Sequence, residues 1–280
     1  MDQRVAVVVC SFDQGDLIRE AVDSVLAQTR PPEAIVVVDD GSTDPHSLSV
    51  LNGIEKRGVR VIRQPNRGVS AARNAGIAAV GTELVAVLDG DDRYHPEYLA
   101  RVVAEFSDED TVAASSWITM FGAAHGVVRP AGGSITNFLA KNSCPAAVVV
   151  RRKVWAAVGG YAEDMREGFE DWDFFLRVLT PGGRIGIVPA PLIEYRTDPG
   201  SANVASMTHR LRLYEEIVGR HSGAFAAHLS AALVAQEATS IERLNRWEQL
   251  VLNDSCIDPG ETTYGDGGMA AIVRIATARA

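Results

Sequence analysis

Asp89, Asp91 and Asp92 crowd into one four-residue stretch, Asp89-Gly90-Asp91-Asp92, directly after the apolar run Leu84-Val85-Ala86-Val87-Leu88. Carboxylates this close repel one another, and carrying them unpaired at a sheet edge is costly. A hard divalent cation such as Mg²⁺ or Mn²⁺ would remove that cost, because carboxylate oxygens suit such ions and the ions in turn hold phosphate oxygens. A hydrated turn is the competing reading, since Asp and Gly favour turns in any context. Other polar residues also close apolar runs: Ser11 follows Val5–Cys10, and Asp39-Asp40 follow Ala34–Val38. A second acidic pair, Glu170-Asp171, opens a helical pattern at Trp172. There it is either solvated charge that suits a helix start or a positioned general base.

The elements that would carry these residues alternate. Val5–Cys10, Ala34–Val38, Val59–Ile62 and Glu83–Leu88 read as buried strands. Between them, Asp16–Gln28 and Ser70–Val80 show helical spacing, and Asp44 with Pro45 starts a third helix. Such alternation predicts an α/β fold with a mostly parallel sheet flanked by helices, and a ligand beyond the carboxyl ends of its strands. Later strands are expected at Val112–Ser116, Ala146–Val150 and Ile185–Val188, with a loop or hairpin in the glycine-rich stretch from Gly122 to Gly133. Val154 to Gly160 reads as a short helix ending on a Gly-Gly pair, and Trp172 to Leu179 as another. Past about Ser206 two helical patterns, Thr208–Arg220 and Ala224–Trp247, form a C-terminal helical appendage. They are expected to pack back on the main domain, with a homodimer contact as the alternative. The stretch holding Gly260, Gly265, Gly267 and Gly268 gives no signal, and no internal repeat is present. The division is therefore 1–205, in halves 1–100 and 101–205, followed by 206–280.

Composition narrows the function. The 280 residues are 46% apolar and 22% charged, which permits a sizeable core. A net charge of −9 argues against a sequence-independent grip on nucleic acid. The cysteines Cys10, Cys144 and Cys256 fit neither a disulfide framework nor a zinc cluster, so a reducing compartment is expected. No secretion signal and no membrane-length apolar run is present, which predicts a cytoplasmic protein without a transmembrane segment.

Several blocks together resemble the inverting family-2 glycosyltransferases of GT-A fold. Val36-Val37-Val38-Asp39-Asp40-Gly41-Ser42-Thr43-Asp44 resembles their nucleotide-binding turn, and Asn66-Arg67-Gly68-Val69-Ser70-Ala71-Ala72-Arg73-Asn74-Ala75-Gly76 the block that follows. Leu88-Asp89-Gly90-Asp91-Asp92 resembles their metal motif. Val158-Gly159-Gly160-Tyr161 and Glu170-Asp171-Trp172-Asp173 resemble their acceptor-side blocks. The likeness runs from about Val5 to Ser201. It implies a nucleoside-diphosphate sugar as donor, a UDP-sugar by preference, and Mn²⁺ or Mg²⁺ as cofactor. Under it Ser11, Asp39, Arg73, Asp89, Gly90, Asp91 and Gly160 serve the donor, with Asp39 on the base and Arg73 on the base or phosphates. Asp89 and Asp91 hold the metal, Asp171 is the general base, and Glu170 holds acceptor or sugar hydroxyls. Trp172 either stacks on a sugar or sits in the core. Where many relatives have a metal-binding histidine two residues after a Tyr-Arg pair, this chain has Asp198, either a further ligand or a turn residue before Pro199. The acceptor, a small molecule or glycan precursor, should draw on the region from Ser115 to Asn142. Two other functions stay open: a silent nucleotide-sugar-binding partner subunit, and a metal-dependent nucleotidyltransferase. The latter wants a glycine-rich turn and a basic residue where this chain has Cys10-Ser11-Phe12-Asp13-Gln14.

Overall fold

A computed structural model describes residues 3–253 and 262–279. Cys256 and Gly260 lie outside the described residues; Cys10 and Cys144 are buried free thiols. The strands are β1 (Val5–Ser11), β2 (Ala34–Asp39), β3 (Arg60–Arg63), β4 (Leu84–Asp89), β5 (Arg93–Tyr94), β6 (Thr111–Gly122), β7 (Gly126–Val128), β8 (Val148–Arg151) and β9 (Arg184–Thr197). Among the described residues they form one nine-stranded sheet in the order β3-β2-β1-β4-β8-β6-β9-β5, with β7 paired to β6. The first four strands are parallel, as the strand–helix alternation requires. Beyond β4 the sheet is mixed. β8 runs antiparallel to β4 and β6, β7 to β6 and β5 to β9, and β6 with β9 is the parallel pair there. The turn from β6 to β7 is too short for a parallel crossover, which needs a dozen residues or more.

Twelve α-helices surround the sheet among the described residues. They are α1 (Leu17–Leu26), α2 (Pro45–Lys56), α3 (Val69–Ala78), α4 (Tyr98–Ala104), α5 (Ile135–Phe138), α6 (Arg152–Ala157), α7 (Glu170–Leu179), α8 (Ala202–Ser206), α9 (Arg210–Arg220), α10 (Ser222–Ala227), α11 (Leu229–Asn253) and α12 (Gly268–Arg279). Every residue of β1 is buried, and its side chains alternate between two cores. Val5, Val7 and Val9 meet α1, α2 and α4 on one face. Ala6, Val8 and Cys10 meet α3 and α7 on the other. The Asp44 carboxylate accepts the Ser47 N–H at 2.7 Å and Pro45 opens α2, the cap legible in the sequence.

Helix α3 rides close on the sheet because Gly76 faces it. A Cβ there would come within 2.3 Å of Val8 Cγ1. Gly76→Ala is therefore expected to destabilise the fold by ~1–3 kcal/mol through overpacking, measured as a lower urea midpoint. This close approach also fixes the height of Arg73 on the same helix.

The C-terminal region is helical but its faces differ. Leu213 and Ile217 of α9 are buried. The α11 face bearing Leu229, Leu233, Ile241, Leu244 and Trp247 is exposed. Helix α12, which no sequence signal marked, sends Met269, Ile272 and Val273 into the β1–α1 core. No helix among the described residues is long and apolar enough to cross a membrane.

Candidate active site

Strand register builds the first wall of the site. Ser11 of β1 pairs with Asp39 of β2, and Cys10 pairs with Asp89 of β4, so the three strands end together. A cleft of about 680 Å³ opens there, within the range of small-molecule sites. Ser11, Arg73, Asp89, Gly90 and Asp91 line it together with Glu170 and Asp171, which enter from the start of α7. Gly90 is required by proximity, since a Cβ would sit 2.6 Å from the Cys10 carbonyl oxygen. The Ser11 hydroxyl is shielded from solvent and has no hydrogen-bond partner among the described residues.

Arg73 joins the two acidic sets. Its guanidinium is 2% exposed; it donates to Asp89 at 2.9 and 3.1 Å and to Glu170 at 2.8 Å. Burial opposes the charge, but the Asp89 and Glu170 carboxylates outweigh it and hold the group well above its ordinary value. Arg73, expected on the base or phosphates, here bridges donor-side and acceptor-side carboxylates and lines the cleft between them. The reason is electrostatic: a buried cation settles against the nearest anions.

Asp91 has no such partner. Burial, and then the neighbouring Asp89 charge, push its carboxyl up to about 6. No ion pair reaches its side chain among the described residues; Arg196 donates from Nε to its backbone carbonyl at 3.1 Å instead. Asp92 is buried, accepts the Arg196 N–H at 2.8 Å, and is raised well above the carboxylate range by burial and Asp91. Asp198 is exposed and accepts the Gly200 N–H at 2.7 Å, as a turn residue does. Among the described residues no set of three or more His, Cys, Asp or Glu side chains is arranged around a metal position. Asp89 and Asp91 still fit a hard cation. Their oxygens are the right donors, the Asp91 charge is unmatched, and Mg²⁺ is commonly held by one or two carboxylates plus substrate phosphates and water.

The acceptor-side pair is held rigidly. Asp171 takes the Trp172 N–H on Oδ1 at 2.7 Å and the Asn142 side-chain amide on Oδ2 at 2.9 Å. Burial and the adjacent Glu170 charge push Asp171 up to about 7. Phe169, immediately before the pair, has φ 65°, a left-handed conformation that costs a bulky residue ~1–3 kcal/mol. It is the N-cap position of α7, so this strained turn sets how Glu170 and Asp171 enter the cleft.

Three residues expected at the site are held by contacts within the fold, Trp172 at the margin of the cleft and the other two away from its lining. Trp172 is 1% exposed, donates its indole N–H to the Phe138 carbonyl at 2.6 Å and stacks on Tyr214, so it is a core residue without a free face for a sugar. Gly160 does not line the cleft. It has φ 78°, and a Cβ would strike the Asn74 side-chain oxygen at 2.5 Å, so it makes the turn that seats the Tyr161 N–H on Asn74 at 2.8 Å. Asp39 lies behind the cleft wall, accepting the Ser42 N–H at 3.0 Å. Asp40 lines the cleft instead, with both oxygens spent on the 64–68 loop: Gln64 at 2.7, Arg67 N–H at 2.9 and Gly68 N–H at 2.8 Å.

Other lining residues carried no signal in the sequence. Asn142 orients Asp171, and its own oxygen accepts the Cys144 N–H at 3.1 Å. Tyr264, Gly265, Met269 and Ala270 close the cleft from the stretch before and within α12. Arg210 reaches it from α9, donating to the Gly265 carbonyl at 3.0 Å.

The model of glycosyl transferase family 2 matches residues 6–148, and that of a glycosyltransferase-like family 2 matches residues 106–232. An uncharacterized glycosyltransferase of Nostoc sp., alr2836, is 38% identical over 112 residues, 39% of this chain and 34% of the relative. The chain thus spans about a third of that relative's length. It covers 84% of the uncharacterized glycosyltransferase YwdF of Bacillus subtilis at 23% identity, over 79% of itself. Among solved structures, that of S. aureus TarS 1-349 in complex with UDP-GlcNAc superposes with a TM-score of 0.61 at 16% identity, covering 83% of this chain and 79% of that one, a likeness of fold. The family match takes in the parallel half of the sheet and the aspartates at its edge, and the chain belongs to glycosyl transferase family 2.

Proposed function

We propose that this glycosyltransferase moves a sugar from a UDP-sugar to an acceptor hydroxyl or amine, with inversion, in a metal-dependent single displacement. The observation that carries the reading is the meeting of Asp89-Asp91 and Glu170-Asp171 in one cleft, on two sides of the Arg73 guanidinium. TarS, whose fold is similar, is seen with UDP-GlcNAc, which favours a uridine nucleotide. Ser11 stands at the donor edge of the cleft, and the Arg73 guanidinium holds the Glu170 carboxylate in place beside the acceptor. Asp171 removes the proton from the attacking group. Its raised affinity for a proton matches that task at neutral pH better than an exposed carboxylate would. Asp89 and Asp91 would hold Mn²⁺ or Mg²⁺, which when bound offsets the charge of the diphosphate leaving group.

Calorimetry with UDP, with and without Mn²⁺, tests the donor half. Binding is expected only with the metal. Asp91→Asn is expected to weaken it about ten- to hundredfold, the equivalent of one lost charged contact. Equal UDP affinity with and without metal would remove the cation from the reading.

A further inference from the structure

The hold on Asp171 runs through a loop gripped by two segments distant from it in sequence. Asn142 lies in that loop, between α5 and β8. Its side-chain oxygen accepts the Cys144 N–H at 3.1 Å, which leaves the amide N–H to donate to Asp171 at 2.9 Å. An amide turned the other way would present its oxygen to the carboxylate and donate nothing. On one side the Gly132 N–H donates to the Ser143 carbonyl at 2.9 Å. On the other, the turn before α12 closes on the loop. The Tyr264 hydroxyl donates to the Cys144 carbonyl at 2.9 Å, and Gly265 packs against the Asn142 backbone. A Cβ on Gly265 would overlap the Asn142 carbonyl oxygen and come within 2.9 Å of the carbonyl carbon. Its φ of 77° favours glycine as well. The turn is itself fixed. Arg210 donates to the Gly265 carbonyl at 3.0 Å, and the Asp266 carboxylate accepts the Thr263 hydroxyl at 2.7 Å and the Gly268 N–H at 3.0 Å. Met269, Ile272 and Val273 then anchor α12 in the core.

We infer that Gly265 is a positioning residue for the base: its bare backbone, seated on Asn142, holds the Asn142 amide against Asp171, so proton removal at the start of α7 depends on the turn that opens α12. The inference rests on Asp171 being the base. The contact is between backbones, and a backbone cannot swing aside as the end of a flexible side chain can. A methyl group at 265 must therefore shift the Asn142 peptide and carry its amide off the carboxylate. Asp171 would keep the Trp172 N–H and lose its second donor. The charged groups facing Asp171 are Glu170 and Arg73, with the Cys144 thiol and the Tyr264 hydroxyl nearby. Burial and Glu170 raise its proton affinity, while Arg73, Trp172 and Asn142 lower it. Taking Asn142 away leaves the carboxyl harder to ionise and freer to turn, and both effects make it a poorer base at neutral pH.

The test uses the full chain with carbon-13 at its aspartate carboxyls, Asp171→Asn identifying the Asp171 resonance. The wild-type carboxyl should titrate at about 7. In Gly265→Ala and in Asn142→Ala its midpoint should lie about 0.5–1 pH unit higher, the equivalent of one lost hydrogen bond. The double variant should titrate with Asn142→Ala alone, because both changes break one link. Gly223→Ala, on α10 with open space around it, should leave the midpoint in place. Thermal unfolding checks that each variant folds. If Gly265→Ala does not, Tyr264→Phe, which deletes the hydrogen bond to Cys144, stands in for it and should move the midpoint the same way. A midpoint unmoved in the variant used, or two shifts that add in the double variant, overturns the proposal. UDP release at saturating UDP-sugar reads the catalytic side: kcat should fall about tenfold with the donor KM unchanged, and a moved resonance with unchanged kcat also overturns it. If the wild type releases no UDP, the glycosyl-transfer reading fails separately, and the resonance still decides whether Gly265 positions Asp171.

Discussion

Asp171→Asn is expected to lower turnover by ~10²–10⁴-fold, the usual contribution of a positioned base, with UDP-sugar affinity nearly unchanged. The asparagine has the shape of the native residue and cannot accept the proton. Donor affinity should survive because the donor-side residues Ser11, Asp89 and Asp91 come from other elements. The measurement is UDP release at saturating donor, paired with calorimetric donor binding. Near-native turnover in the variant would remove Asp171 from the role. The wild-type pH profile supplies an independent check. A buried carboxyl raised to about 7 is protonated and idle below that pH and ionised above it, so kcat should climb as pH rises through about 7. A profile flat across that interval would assign proton removal elsewhere.

The second large effect concerns Arg73. Replacing it with methionine keeps much of the side-chain volume and deletes the charge, leaving Asp89 and Glu170 without their shared cation. Breaking a buried ion pair from one side costs about 3–5 kcal/mol. Asp89 is 33% exposed, and water screens part of that loss, so the lower end, about 3 kcal/mol, is expected. At roughly 2–4 °C per kcal/mol, Arg73→Met should melt about ten degrees lower. Adding Glu170→Gln should restore part of the loss, because the second change removes one of the stranded charges. An Arg73→Met variant that melts with the wild type would mean that the bridge contributes nothing to stability.

Much of the donor half was legible because its signals are local. Strands buried on both faces read as unbroken valine-rich runs, Asp44-Pro45 marked a helix start, and the aspartates followed β4 directly. The acceptor half depends on contacts distant in sequence. β9 was read only over Ile185–Val188, because Pro189 and Pro191 cannot donate to a sheet ladder. The strand nevertheless continues to Thr197, with shifts in its register against β6 near Trp117. Its motif left Trp172 open between a sugar platform and a core residue, and the tertiary packing of Phe138 and Tyr214 commits it to the core. Gly160 and Asp39 sit in blocks shared with the family, yet here they shape turns that hold other residues. Asn142 stands in a stretch without periodicity, and its importance lies in a partner twenty-nine positions away. Helix α12 mixes small and apolar residues on all sides, so no polar stripe announced it.

The wall formed by Tyr264, Gly265, Met269 and Ala270 has a consequence for biogenesis. The ribosome delivers the aspartates of β4 long before it delivers these residues, and domains begin to form from the N-terminus outward. A nascent chain can therefore assemble its strands while the chamber that would enclose a sugar nucleotide still lacks one side. The cleft gains that side only when α12 docks.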